Sequence, residues 1–347
     1  MDRVLRVLVV DDSAYVRKVM RQMLSRSPFI DVIGTARDGK EALDMAEQLQ
    51  PDVITCDLNM PELDGVGFVR EQMLRRPIPI VIVSIANEGS ELALTALDAG
   101  AVDFVQKPTA LATEKIFEVT DELIEKIKVA AAVRMARVQT ILEHRPVASP
   151  PVQAKRAGLV DIVVLGISTG GPQALKYLIP QLPADFAVPL VMVMHMPVGY
   201  TEMYAQRLDE ISPLNVREAR EGDIIEPGVV LLAQAGRHLT LLRQAAGTVV
   251  AHLDARPFDS PHRPSVDVLF KSAAELFGSR TLGVVMTGMG SDGKQGAAWI
   301  KSKGGMIFTE AEQSCVVYGM PLSVVEAGLS DASAPLEKMA QSILEVV

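Results

Sequence analysis

The sequence predicts an α/β protein of two domains: an N-terminal (βα)5 unit, then a doubly wound parallel α/β unit carrying an antiparallel hairpin. Three observations predict it. The chain has 347 residues, long for one domain and natural for two. Short apolar runs alternate with helix-length stretches, the pattern of βα repeats on a parallel sheet. A proline-rich stretch, Arg145-Pro146-Val147-Ala148-Ser149-Pro150-Pro151, interrupts that alternation, because clustered prolines end a helix and favour an extended spacer.

In chain order, the strands expected in the first unit are Leu5–Val10, Val32–Ala36, Val53–Cys56, Ile78–Val83 and Val102–Val105. Helices are expected at Ala14–Arg26, Gly39–Leu49, Gly65–Arg75 and Ser90–Ala99, with a fifth starting near Ala112. A helical pattern rich in Ala, Lys, Arg and Glu covers Glu118–Leu142. The expected organisation is therefore a domain over 1–128, a linker over 129–159 that is helical and then proline-rich, and a domain over 160–347. Strands of the second domain are expected at Asp161–Leu165, Leu190–Met194, Val229–Ala233, Leu239–Arg243, Val249–Leu253, Leu282–Met286 and Met306–Phe308. Its helices are expected at Gly171–Ile179, Tyr200–Ile211, Ser265–Phe277, Gly293–Lys303 and Pro335–Val347. Ala246-Gly247-Thr248 between two apolar runs reads as a β-hairpin turn.

Composition removes several function classes. A hydrophobic share of 48% with 22% charged residues marks a globular chain rather than a disordered one. The net charge of −9 argues against non-specific nucleic-acid binding. Cys56 and Cys315 alone make no disulfide framework and fit a reducing cytoplasm. No apolar run approaches the length of a membrane span, and no signal-type core opens the chain, so no membrane insertion is expected.

Two sites carry chemistry. In the first unit, Asp11 and Asp12 follow the first strand and Asp57 ends the third. Strand ends of a parallel sheet meet at one edge, so three carboxylates converge there. Crowded carboxylates repel unless a cation joins them, and hard oxygen ligands suit Mg²⁺. Ser84 ends the fourth strand and Lys107, before Pro108, follows the fifth. A hydroxyl and an ammonium opposite the carboxylates suit phosphoryl oxygens. The chemistry implied is attack of a carboxylate on phosphorus. Asp11-Asp12, Asp57 with Met60-Pro61 and Asp64-Gly65, Ser84, and Phe104 with Lys107-Pro108 resemble the receiver domain of bacterial response regulators. The resemblance implies that a histidine kinase phosphorylates Asp57 and that Ser84 and Phe104 relay the change. Phe104 has no hydroxyl, so its relay must be one of packing.

In the second unit, Gly166-Ile167-Ser168-Thr169-Gly170-Gly171-Pro172 puts a hydroxyl in a tight strand-to-helix turn. Serine needs a base to act as a nucleophile. His195 follows one strand, and Asp292 follows another within Thr287-Gly288-Met289-Gly290-Ser291-Asp292-Gly293. Three parallel-strand ends can converge, giving nucleophile, base and orienting acid. Gly166-x-Ser168-x-Gly170 fits the short esterase pattern by letters alone, but His195 precedes Asp292, the reverse of the α/β-hydrolase order.

These residues, with Val191–Pro197, Ser260–Asp267, Met286–Gly293 and Cys315–Pro321, resemble the catalytic domain of the chemotaxis protein-glutamate methylesterases, the CheB family. The resemblance covers nearly the whole chain apart from the linker. It implies hydrolysis of γ-glutamyl methyl esters on the cytoplasmic helices of chemoreceptors, releasing methanol, with a related deamidation of glutamine. It also implies attack by Ser168, proton transfer to His195, orientation by Asp292, and an oxyanion site at Thr169 and the Met289 amide. It further implies Mg²⁺ at the receiver and no cofactor for ester hydrolysis. Residues 233–238 depart from the family's usual Pro-Gly, which puts a substrate contact by His238 in doubt. His262 is a candidate to line the cleft, His144 and the Lys126–Arg137 stretch read as solvated, and His252 reads as structural. A DNA-binding effector, a nucleotide-binding domain and a non-catalytic adaptor are the competing readings. The first is disfavoured by charge and strand content, and the second by the absence of Gly-x-Gly-x-x-Gly and of a P-loop.

Overall fold

The structure, a computed structural model, describes residues 3–84, 90–107, 113–143, 158–257 and 259–347. Pro108, His144, the proline-rich stretch and the expected start of the fifth helix at Ala112 lie outside them. The chain divides into two compact units between Leu142 and Glu143.

In the first unit the elements alternate strictly: β1 (Leu5–Val10), α1 (Ala14–Leu24), β2 (Ile30–Ala36), α2 (Gly39–Leu49), β3 (Val53–Cys56), α3 (Gly65–Arg75), β4 (Ile80–Ser84), α4 (Ser90–Asp98), β5 (Asp103–Gln106) and α5 (Thr113–Ala132). A short α6 (Met135–Glu143) follows. The five strands are parallel, in the order β2-β1-β3-β4-β5. β3 and β4 are buried at every position, as expected of inner strands covered on both faces. The first three helices cap themselves: Ser13 accepts from the Val16 amide, Asp38 from Glu41 and Asp64 from Gly67. The strand order reverses between β1 and β3, the crevice where doubly wound sheets bind ligands.

The second unit runs β6 (Ile162–Ile167), α7 (Gly171–Leu178), β7 (Leu190–Met194), α8 (Thr201–Asp209), β8 (Asn215–Glu218), β9 (Val229–Leu232), β10 (His238–Arg243), β11 (Val249–Asp254) and α9 (Val266–Phe277). It closes with β12 (Thr281–Val285), α10 (Lys294–Ser302), β13 (Met306–Glu310), α11 (Met320–Glu326), β14 (Ala332–Ala334) and α12 (Leu336–Leu344). Seven parallel strands stand in the order β14-β13-β12-β6-β7-β9-β8, and β10-β11 form the antiparallel hairpin. The central strands β6, β7 and β12 are wholly buried. The chain starts at the middle strand and winds both ways, so the switch point lies between β6 and β12.

Three elements differ from expectation. β8, β14 and α11 are short, and β8, which is polar, and β14, which has three residues, are the partly exposed edges of the sheet. An edge strand with one partner needs no apolar run. Lys126 is not on a solvated face: its side chain is only 14% exposed, and its ammonium reaches Asp103 Oδ1 at 2.9 Å and the Phe104 carbonyl at 2.7 Å. The helix face there is set by this buried ion pair between α5 and β5.

Candidate active site

In the first unit, Lys107 Nζ lies 2.7 Å from Asp11 Oδ2 and 2.8 Å from Asp57 Oδ2. Asp57 Oδ1 also accepts from the Leu58 amide at 2.8 Å, and Asp11 Oδ1 from the Ser13 amide at 2.9 Å. Ligand oxygens of Asp11, Asp12 and Asp57 all lie within 4.8 Å of one another, Asp12 being the exposed member. Burial raises the pKa of Asp11 despite the opposing pull of Lys107. Burial disfavours the charge of Lys107, but its two carboxylate partners outweigh that and raise its pKa. Three carboxylates against one ammonium leave an excess of negative charge that a divalent cation would balance, so the residues present fit one. The Lys107 amide donates to the Ser84 carbonyl at 2.7 Å, tying β5 to β4, and Ser84 and Phe104 are both buried. Cys56 is buried and its thiol pKa is pushed up, first by desolvation, consistent with packing rather than redox chemistry.

In the second unit, His195 Nε2 donates to Asp292 Oδ2 at 2.8 Å. Asp292 also accepts from Ser265 Oγ (2.9 Å) and from the amides of Val266 (2.8 Å), Asp267 (3.0 Å) and Gly293 (3.1 Å). Two of these amides open α9, so the carboxylate closes that helix's N-terminus. Burial opposes ionisation of Asp292, yet the His195 bond and the amides of Asp267 and Val266 hold its carboxyl below the usual range. An ionised Asp292 requires the proton on Nε2, which leaves Nδ1 of neutral His195 as the basic nitrogen.

Ser168 follows β6 and is half-buried. Its amide donates to the Thr287 carbonyl at 2.9 Å, and Thr287 Oγ1 donates to the Thr169 carbonyl at 3.0 Å. The β12 loop thus clamps the serine turn. The approach is close enough that a Cβ on Gly288 would lie 2.8 Å from Ser168 Cβ. A Cβ on Gly166 would lie 2.3 Å from Val266 Cγ1, so the glycine lets the start of α9, and with it Asp292, pack directly against β6. Ser168, His195 and Asp292 are thus gathered at one edge of the sheet, though no hydrogen bond joins Ser168 Oγ to His195 among the described residues. Such bonds often close only with substrate present. Met289 follows Gly288 in the clamping loop, and its amide carries no hydrogen bond among the described residues. Thr169 is buried.

The other histidines separate clearly. The His262 ring stacks on that of His195, with centroids 4.2 Å apart and planes 21° from parallel. His238 makes no substrate surface: it is fully buried, its Nε2 donating to the Pro257 carbonyl and its Nδ1 accepting from the Ser265 amide. Burial lowers its pKa. His252 pairs with Glu221 on the hairpin.

Three residues in this network have no role in the sequence reading. Ser265 looks like an ordinary N-cap, but its hydroxyl goes to Asp292. Asp267 looks like a first-turn acid. Glu310 closes an apolar strand, is fully buried, and accepts from the Thr287 amide at 2.9 Å and Ser314 Oγ at 2.9 Å. Burial pushes its pKa up to about 7. The available signals were Asp267 within Ser260–Asp267 and an acid at the end of an apolar run, and neither names a partner.

Two parallel α/β units, one ending in an acidic phosphoacceptor-type pocket and one in a serine-histidine-acid cluster, define a response regulator with an effector of the hydrolase type. Family models agree: residues 7–119 match the response regulator receiver domain and residues 163–343 match CheB methylesterase. The chain belongs to the CheB methylesterase family. A protein-glutamate methylesterase/protein-glutamine glutaminase of Myxococcus xanthus is 51% identical over 96% of each chain. One of Symbiobacterium thermophilum is 45% identical over 99% of this chain and 98% of that protein. The crystal structure of the Thermotoga maritima CheB methylesterase catalytic domain is 44% identical, with a TM-score of 0.53, covering 54% of this chain and 99% of that one. Among the described residues, no helix is long and apolar enough to cross a membrane.

Proposed function

We propose that the chain hydrolyses γ-methyl esters of glutamate on the cytoplasmic helices of chemoreceptors, and that phosphorylation of its receiver domain activates it. Residues 1–128 act as receiver, 129–159 as linker and 160–347 as catalytic domain, in the cytoplasm. The observation that carries it is the 2.8 Å bond from His195 Nε2 to a donor-saturated Asp292, at the sheet edge that also bears Ser168.

Ser168 Oγ attacks the ester carbonyl carbon while His195 takes the hydroxyl proton at Nδ1. Asp292 holds the ring and stabilises the imidazolium. Thr169 and the Met289 amide face the developing oxyanion. Collapse of the tetrahedral species breaks the bond to methoxide, which leaves as methanol with the proton from His195. Water, deprotonated by the same nitrogen, then cleaves the acyl-serine. A glutamine side chain would follow the same route, with ammonia as leaving group.

In the receiver, Asp57 is the phosphoacceptor for a histidine kinase, Lys107 neutralises phosphoryl oxygens, and Ser84 stands ready to contact them. Asp11, Asp12 and Asp57 would hold Mg²⁺, which supplies charge neutralisation for phosphoryl transfer. Phosphorylation shifts the enzyme from a closed population to an open one.

The test is methanol release from methylated chemoreceptor membranes, with wild type, Ser168→Ala and Asp57→Ala, each with and without acetyl phosphate. Wild type releases methanol faster with the phosphodonor, Ser168→Ala releases none, and Asp57→Ala keeps the basal rate without activation. Release by Ser168→Ala equal to wild type removes the chemistry. Equal activation of Asp57→Ala removes the gate.

A further inference from the structure

Asp267 and Asp292 are joined crosswise. Asp292 stands immediately before Gly293, the N-cap of α10, yet its carboxylate closes the start of α9. Asp267 lies in the first turn of α9, yet its Oδ1 accepts from the amides of Gly293 (2.9 Å) and Gly296 (2.7 Å) at the start of α10. Each helix is capped by an aspartate belonging to the other. Ser265, at the capping position of α9, makes no side-chain cap to its own helix, and Gly293, at that of α10, has no side chain to offer.

We propose that Asp267 is a positioning residue for ester hydrolysis: by binding the Gly293 and Gly296 amides it fixes the peptide next to Asp292 and so aims that carboxylate at His195. This rests on Asp292 being the acid of the triad. The geometry is specific. The Asp267 amide donates to Asp292 Oδ1 at 3.0 Å, while the Gly293 amide divides between Asp267 Oδ1 at 2.9 Å and Asp292 Oδ1 at 3.1 Å. Without the Asp267 carboxylate, Gly296 loses that acceptor and Gly293 is held by Asp292 alone. The start of α10 is then hydrogen-bonded to α9 only through the Asp292 carboxylate itself, which loosens the backbone that carries it and shifts its aim at His195. Burial pushes Asp267 up to about 6, against the pull of those amides and with the Asp292 charge adding to it. A surface cap would carry no such burden, so the acid is being held in an unfavourable setting by its two amides.

The experiment compares full-length wild type with Asp267→Ala, Asp267→Asn and Asp292→Ala on methylated receptor membranes. Rates are divided by the number of serines titrated with a fluorophosphonate. Asp267→Ala is expected to lower kcat about 10- to 100-fold per titrated serine, the scale of a slight misplacement of a catalytic group, with KM within about twofold. Asp267→Asn keeps an oxygen acceptor for both amides and is expected to recover most of that loss. If Asp267→Ala leaves too few titratable sites, Asp267→Glu is read in its place, since it keeps the charge and displaces the acceptor. Wild-type kcat in Asp267→Ala (or in Asp267→Glu where that is read), or an Asn variant as slow as the Ala one, overturns the proposal. Asp292→Ala separates the two levels: if it also turns over at the wild-type rate, the triad reading itself fails.

Discussion

Asp57 and Asp292 both lie beyond the carboxyl end of a buried strand in a parallel sheet, and their surroundings are opposite. Asp57 shares one ammonium with Asp11 and has one amide besides. Asp292 collects a ring nitrogen, a hydroxyl and three amides. The first cluster is short of positive charge and suited to a cation and a phosphoryl group. The second is saturated, so its carboxylate stays ionised and fixed, which is what an orienting acid must be. The same side chain, past the end of a buried strand in each sheet, thus takes its chemistry from the number of donors around it.

The helix caps follow the same division. In the receiver, Ser13, Asp38 and Asp64 cap the helices they precede. In the catalytic unit, α9 and α10 exchange aspartates. Local capping leaves Asp11 and Asp57 free of helix ends, while exchanged capping makes Asp292, the acid of the proposed triad, part of the helix framework.

The two carboxylates should differ most when each is removed. Asp292→Asn is expected to cost about 10⁴-fold in kcat, because the amide no longer enforces the His195 tautomer. Differential scanning calorimetry should also record a lower melting temperature for Asp292→Ala than for Asp57→Ala, since only the first removes a helix cap. In the receiver, Lys107→Met takes away the one ammonium between two acids. Its melting temperature should fall in chelator and recover more on adding Mg²⁺ than that of wild type does. An equal response would mean that the acidic excess does not recruit the cation.

Glu310 sharpens the contrast with pH. Its folded pKa of about 7 lies above the ordinary 4.5. The folded protein therefore keeps a proton that the unfolded chain releases, so stability is highest below the ordinary value and falls as pH rises from there towards 7. Linkage puts this fall at about 3 kcal/mol for one such group. Glu310→Gln should flatten that part of a urea-melt stability profile. The protonated form fits its site, because Ser314 Oγ can accept from it and donate to the Ala311 carbonyl at 3.2 Å. The smallest effect is expected from Ser265→Ala, which removes one of five donors to Asp292. A loss of kcat of about tenfold with unchanged KM is expected from steady-state kinetics.

The buried strands were readable because each is an apolar run with both faces covered. Asp11, Asp57, Lys107, Ser168 and His195 were readable because each directly follows such a run, and Asp292 because it lies in the glycine-rich loop after one. β8 escaped because an edge strand can be polar, and β14 because three small residues make no apolar run. Asp267, Ser265 and Glu310 escaped for a different reason: their roles lie in bonds to residues 20 or more positions away, as from Asp267 to Gly293 and from Glu310 to Thr287. Ser265 misleads locally, since the side-chain oxygen of a serine before a helix normally accepts from an amide of that helix. His238 shows the same limit, being held by Pro257 and Ser265 rather than facing substrate.

The ¹⁵N spectrum of His195 in full-length protein at neutral pH, assigned by its loss in His195→Gln, reports which ring nitrogen holds the proton. A donor-saturated, ionised Asp292 predicts a protonated Nε2 and a bare Nδ1, with that preference lost in Asp292→Ala. A proton on Nδ1 in wild type, or a ring indifferent to Asp292→Ala, would contradict the claim that this carboxylate sets up the base.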